Sequence, residues 1–253
     1  MSGKQHHSSS WREKLPGRRH EPYFQWRGKE VSRLEGFADA VFGFAVTLLV
    51  VALEVPHTVD GLKDAIRGFP AFTVCFALLM VFWNSHYRFF RRYGLEDRMT
   101  RFLSTCVLLL VIFSVYPLKF LFGAILSFGS PHAPHIGTWE ELKFVYIVYG
   151  LGFIGIWVLF LLLHLHALRL RGQLQLNEAE VLQTREQIVS YTINIVVCVL
   201  SIGLALLDVS AGLPGYVYML LGPALWINGS WHGRRARLAH EAVQPGAVTP
   251  SPA

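Results

Sequence analysis

The feature that most constrains this chain is the spacing of its charges. Charged residues make up only 16% of the 253 positions against 53% hydrophobic, and they gather in clusters between long uncharged runs. A run of about 20 residues forms roughly 30 Å of helix, the thickness of a bilayer's hydrocarbon layer. The pattern predicts an all-α, polytopic membrane protein and argues against a soluble domain.

Six spans follow from the uncharged runs. Helix 1 covers about Gly36 to Val55, helix 2 Gly68 to Tyr87, and helix 3 runs from near Phe102 past Pro117 and Lys119 to about Phe122. Helix 4 has 25 uncharged residues from Phe144 to Leu168, helix 5 occupies about Gln187 to Leu207, and helix 6 lies within Val209 to Trp231. Pro117 predicts a kink, and Lys119 can snorkel outward along its alkyl stem. The chain thus divides into a polar tail at 1–32, a six-helix transmembrane unit at 33–233 and a C-terminal tail at 234–253.

The tail holds seven Lys or Arg residues and is expected to be mobile, with Trp11, Tyr23, Phe24 and Trp26 suited to the membrane surface. The adjacent His6 and His7 read as solvated rather than as a metal site. The first apolar run follows this tail without a small-residue cleavage site, so helix 1 is read as retained.

Basic residues test the topology. The segment to Arg33, the 2–3 loop, the 4–5 loop and the C-terminal tail fall on one side and carry 8, 5, 3 and 3 Lys or Arg, 19 of the 23. That bias predicts both termini in the cytoplasm, and because the bases flank apolar segments it argues against a nucleic-acid partner despite the net charge of +6. Cys75, Cys106 and Cys198 lie within apolar runs without metal-ligand spacing and read as small buried side chains.

Helix 1 carries the most informative residues. Phe37, Val41, Phe44, Leu48, Val51 and Val55 fall on one apolar stripe, and Asp39, Gly43, Thr47 and Val50 on its neighbour. Ala38, Ala45 and Ala52 recur every seventh position, where small side chains let helices pack closely in lipid. A charge at the centre of a membrane costs roughly 2.5–3.5 kcal/mol on insertion scales. Asp39 therefore has two readings, a structural clamp near the positive helix end, with Arg33 as one candidate partner, or a direct ion contact; the clamp is preferred because Asp39 lies only about one turn inside.

Trp83, Asn84 and His86 end helix 2 at the same depth, either as a polar cluster around Asp39 or as an interfacial aromatic belt with an incidental histidine. His164 and His166 are two apart on helix 4, point in nearly opposite directions and cannot jointly hold a metal. No phosphate-binding loop, zinc-protease, hydrolase or dinucleotide pattern is present, nor a T-V-G-Y-G filter or an arginine ladder, so neither catalytic residues nor a cofactor or resident metal is expected.

Two separated motifs carry a family resemblance. The string Arg33-Leu34-Glu35-Gly36-Phe37-Ala38-Asp39 resembles the R-x-x-x-F-S-D signature that opens the first helix of the transmembrane protein 175 family of potassium channels. Trp83-Asn84-Ser85-His86 resembles that family's W-x-x-H pattern at the end of helix 2, and Asp97 and Pro117 fall about where the family has an Asp and a Pro. The recognisable motifs cover about Arg33 to Phe122. Ala38 replaces the signature serine, and Ser104, Thr105 and Cys106 stand where an asparagine is expected.

The resemblance implies a signature clamp of Arg33, Phe37, Asp39, Trp83 and His86. It further implies a pore lined by helix 1, with Phe44, Leu48 and Val51 as an apolar constriction and Thr47 as a hydroxyl ring that potassium meets transiently. One six-helix unit cannot surround a pore with a single helix 1, so several copies are required, and the resemblance implies a homotetramer in a bacterial plasma membrane. The competing expectation is a proton-coupled transporter using Asp39 and His86.

Overall fold

The computed structural model describes residues 24–28, 30–51, 57–126, 134–210 and 212–231. Every regular element among them is helical: α1 (Arg33–Val51), α2 (Val59–Tyr93), α3 (Arg98–Leu126), α4 (Trp139–Arg169), α5 (Glu178–Leu206), the short α6 (Leu213–Tyr216), a 3-10 turn (Val217–Leu220) and α7 (221–231). The first five are long and apolar enough to cross a membrane. The sixth span is segmented, a helical run from 213 to 231 that has Pro214 in its first turn and passes through the 3-10 turn. Residues 1–23, the end of helix 1 at 52–56, the loop at 127–133 and the tail from 232 lie outside the described residues, and with them His6, His7 and Val55.

The long helices overrun the uncharged runs, and their added turns carry charged residues and caps. α2 starts at Val59, where Thr58 caps it by accepting from the Gly61 N–H, and Asp60–Lys63 and Asp64–Arg67 pair at 2.9 and 3.0 Å along its first turns. Capping boxes start α4 at Thr138 and Glu141 and α5 at Asn177 and Glu180. α3 stays helical through Pro117, whose carbonyl accepts from the Tyr149 hydroxyl of α4.

α1 packs on α2 and α3, α3 on α4, and α4 on α5. Phe82 and Phe89 of α2, Trp157 and Phe160 of α4 and Tyr191 of α5 form an aromatic centre, with Trp157 and Phe160 stacked on Tyr191. Ala38 and Ala45 are fully buried and bring α1 close to its neighbours, as small residues do where lipid offers no hydrophobic drive between helices.

Residues 24–28 belong to the segment read from sequence as a mobile tail, yet they form a packed strap. Phe24, expected at the membrane surface, is buried edge-on against Tyr93 with Arg27 and Arg92 over its ring. Gly28 exchanges hydrogen bonds with Arg91, its N–H donating to the Arg91 carbonyl and its carbonyl accepting from the Arg91 guanidinium. The approach is close enough that a Cβ on Gly28 would sit 2.6 Å from the Phe90 carbonyl oxygen. Gly94, at φ 59°, turns the chain at the end of α2 in a conformation that glycine adopts without strain.

This fit predicts that Gly28→Ala lowers unfolding stability by about 1–3 kcal/mol, the usual cost of overpacking against an unyielding neighbour. Gly68→Ala, where a Cβ meets nothing within 4 Å, serves as the control. Thermal melts of the two variants check this, and equal melting temperatures would remove the strap's close seat.

Candidate functional site: the base and bare face of α1

The residues singled out on α1 separate into a polar base and a bare face. At the base, the Ser32 hydroxyl accepts from the Glu35 N–H, and the buried Glu35 carboxylate lies 3.1 Å from the Arg91 guanidinium of α2. One turn on, Asp39 accepts from the Trp83 indole N–H at 2.8 Å, and Trp83 is stacked on Tyr87. Arg91 also stands over the Tyr87 ring, so ion pair and aromatic stack share one wall of α2. His86 is buried beside this wall and faces another way: its Nε2 meets the Ser104 hydroxyl of α3 at 2.7 Å, with its ring against Phe42 and Phe90.

Rotation of α1 follows from its packing. Glu35, Ala38, Phe42, Ala45 and Leu49 face the core, leaving Phe37, Asp39, Ala40, Gly43, Phe44, Thr47, Val50 and Val51 on the opposite, exposed side. Phe44 is 55% and Val51 72% exposed, whereas Leu48 and Val41 are partly buried against the core and flank that face. Phe37, Phe44 and Val51 of one stripe and Asp39, Gly43, Thr47 and Val50 of the other therefore share one bare surface. The Thr47 hydroxyl donates to the Gly43 carbonyl at 3.0 Å, which commits its proton to the helix and leaves its lone pairs outward. A Cβ on Gly36 or Gly43 would meet nothing within 4 Å, so this side offers open space beside its backbone.

Comparison with known proteins settles the family. The family described as endosomal/lysosomal potassium channel TMEM175 matches residues 33–117. A "Potassium channel" of Marivirga tractuosa is 34% identical over 230 residues, covering 85% of this chain and 93% of the relative. The chain belongs to the TMEM175 family. "Potassium channel B446_29190" of Streptomyces collinus is 28% identical over 51% of this chain and 63% of its own length. A crystal structure of the potassium channel MtTMEM175, a threonine-to-alanine variant in complex with a nanobody fusion, superposes with a TM-score of 0.73 at 32% identity, covering 84% of this chain and 98% of that one. A lysosomal potassium-selective channel TMEM175 homologue from Chamaesiphon minutus shares the fold at 23% identity, with a TM-score of 0.51 and coverage of 81% and 96%.

In this TMEM175-family chain, the structure joins Asp39 to Trp83 and leaves the other signature residues apart from that bond. Arg33 is exposed and makes no hydrogen bond or ion pair among the described residues, and Phe37 is exposed on the bare face. The arginine partner at the base is Arg91, and the acid it holds is Glu35 rather than Asp39. Ser104 supplies the polar group that His86 needs on α3 where an asparagine is expected. Sequence reasoning missed Ser32, Glu35 with Arg91, and Arg27 with Glu180; a fixed register between α1 and α2 was the only signal that could have paired Glu35 with Arg91.

Asp97, between α2 and α3, binds α4. Its carboxylate accepts from the Thr100 hydroxyl at 2.5 Å and the Met99 N–H at 3.0 Å, and lies 2.9 Å from His166 Nε2. Partial burial works to raise its pKa, but the Thr100 hydrogen bond, the charge of His166 and the Met99 N–H together hold it below the ordinary 3.8. A depressed acid contributes stability that is present above its unfolded pKa and lost as pH falls through the lower folded value. The melting-temperature gap between the wild type and Asp97→Asn is therefore expected to narrow as pH is lowered from about 5 to below 3. A gap independent of pH would show that the carboxylate's ionisation contributes nothing there.

Proposed function

We propose that this chain forms a potassium-permeable channel whose pore is lined by the bare face of α1 from several copies, with four as the count that the family resemblance implies. The observation that carries this reading is the composition of that face. Exposed positions on α3 and α5 are largely bulky and apolar, such as Leu109 and Phe113 or Val196, Val199 and Leu200, with single hydroxyls at Thr105 and Thr192, which suits lipid. The exposed side of α1 instead intersperses Gly36, Ala40 and Gly43 with Asp39 and Thr47, permitting close approach about an axis and placing oxygen atoms on it.

Phe44, Leu48 and Val51 would then form the apolar constriction, with Phe44 and Val51 pointing inward and Leu48 supporting the ring from its flank. An apolar ring resists wetting and gates conduction, while the outward lone pairs of Thr47 replace part of an ion's hydration shell. Potassium as the ion is supported by the relatives' names, and a multi-pass place in the bacterial plasma membrane, both termini inside, by the 19 of 23 basic residues on one side. Asp39, bonded to Trp83, and His86, packed against Phe42, act in this reading by setting the position of α1 rather than by touching the ion, whereas Arg33 and Phe37 stay exposed. The separation of Asp39 from His86, which bonds Ser104, weakens the proton-coupled alternative, since no hydrogen bond joins the two.

Reconstituted in liposomes, Phe44→Ala and Val51→Ala are expected to raise potassium leak several-fold, and unchanged flux in both would remove them from the constriction. Thr47→Val is expected to cut the potassium-over-sodium permeability ratio by about fivefold to tenfold, roughly 1–1.4 kcal/mol of differential ion binding. A reversal potential equal to that of the wild type in bilayer recordings would count against the hydroxyl ring.

A further inference from the structure

α2 rises out of the hydrocarbon layer with an apolar stripe on it. Its uncharged run begins at Gly68, and residues 59–67 before it hold Asp60, Lys63, Asp64 and Arg67, so about 14 Å of helix stands on the side opposite the basic loops. Along this helix Val59, Leu62, Ile66, Phe69, Thr73 and Phe76 follow one another in alternating steps of three and four, the spacing of a seam that packs on another helix. The first four are 49% to 71% exposed, and Thr73 and Phe76 are exposed as well. The buried side of α2 lies opposite them, at Ala71, Cys75 and Leu79. A row of large apolar side chains left in water marks a contact surface.

Charge, depth and continuity say what covers it. Asp60 pairs with Lys63 at 2.9 Å and Asp64 with Arg67 at 3.0 Å, so the flank beside the stripe sums to zero. It presents no net charge for a partner of opposite sign to recognise, and an identical flank approaches it without repulsion. The four charges also keep residues 59–67 out of the acyl chains, which removes lipid as their cover. At its other end the stripe continues through Met80 to Trp83, whose indole N–H donates to Asp39 on the bare face of α1, so the two surfaces join.

We infer, on the reading that several copies assemble about the bare face of α1, that a second copy of the chain seats on this stripe and that the contact between copies runs on beyond the membrane along Val59, Leu62, Ile66 and Phe69. Inside lipid, apolar surface gives helices little reason to associate. In water, covering the same side chains is favourable in proportion to the area removed, so this short extension supplies a drive for assembly that the spans lack.

Native mass spectrometry and labelling with a charged maleimide, both on the purified full chain, test this without reference to ion flux. Wild type is expected to be multimeric, and Leu62→Gln with Ile66→Gln to weaken association about tenfold or more, read as single chains on dilution. Leu207→Gln with Val209→Gln, equally exposed at the end of α5, is expected to leave the multimer intact. In the multimer, Leu62→Cys and Ile66→Cys are expected to label several-fold more slowly than Asp60→Cys, and the difference to vanish in dissociated chains. A single-chain wild type would overturn the reading that several copies assemble. A multimeric wild type whose Leu62→Gln with Ile66→Gln variant stays intact, or whose Leu62→Cys labels as fast as Asp60→Cys, would overturn this inference alone. So would equal dissociation of both double variants, and slow labelling that persists in dissociated chains would mean that the chain covers its own stripe.

Discussion

The position of α1 depends on polar contacts made at one end. A helix in lipid gains little from turning one apolar face rather than another outward, because hydrocarbon and leucine are alike to it. What distinguishes its rotations are groups that must find partners: Glu35 against Arg91, Asp39 beneath the Trp83 indole, and Ala38 and Ala45 where a larger side chain would hold α1 away from α2 and α3. With these in place, Phe44, Thr47 and Val51 stay exposed among the described residues, and the bare face follows.

The same logic extends to the strap. Glu180 is 0% exposed, and a carboxylate in such a position needs a bonded counter-charge, because removing one partner of a buried pair costs roughly 3–5 kcal/mol. Arg27 meets that need and also receives the carbonyls of the α4–α5 elbow, so the residues just before α1 are tied to the far side of the bundle. Arg91 completes the connection by hydrogen-bonding Gly28 and ion-pairing with Glu35. The base of α1, the end of α2 and the elbow thus form one continuous polar layer at the basic end.

Much of the fold was legible because transmembrane length and charge exclusion are local properties. The spans fell where helices formed, and the deviations have local causes: Thr58 and the Asp60–Lys63 and Asp64–Arg67 pairs carry α2 well before Gly68, and Pro214 with the 3-10 turn breaks the last span into pieces. The base of α1 was only half legible. Asp39 and Trp83 stood out as polar groups within apolar runs, whereas Glu35, Arg91 and Arg27 looked like ordinary interfacial charges until the helices were set side by side.

By itself, the sequence determined the all-α class, the register of the membrane spans and the family, since periodicity, charge spacing and two short motifs are written along the chain. The tertiary structure alone decided that Arg91 rather than Arg33 serves Glu35, that His86 turns to Ser104, and that Leu48 leans into the core while Phe44 and Val51 remain bare. A helical wheel has no preferred zero. Its origin is set when buried charges and small residues on one helix meet their partners on others, and those pairings join positions as far apart as Arg27 and Glu180.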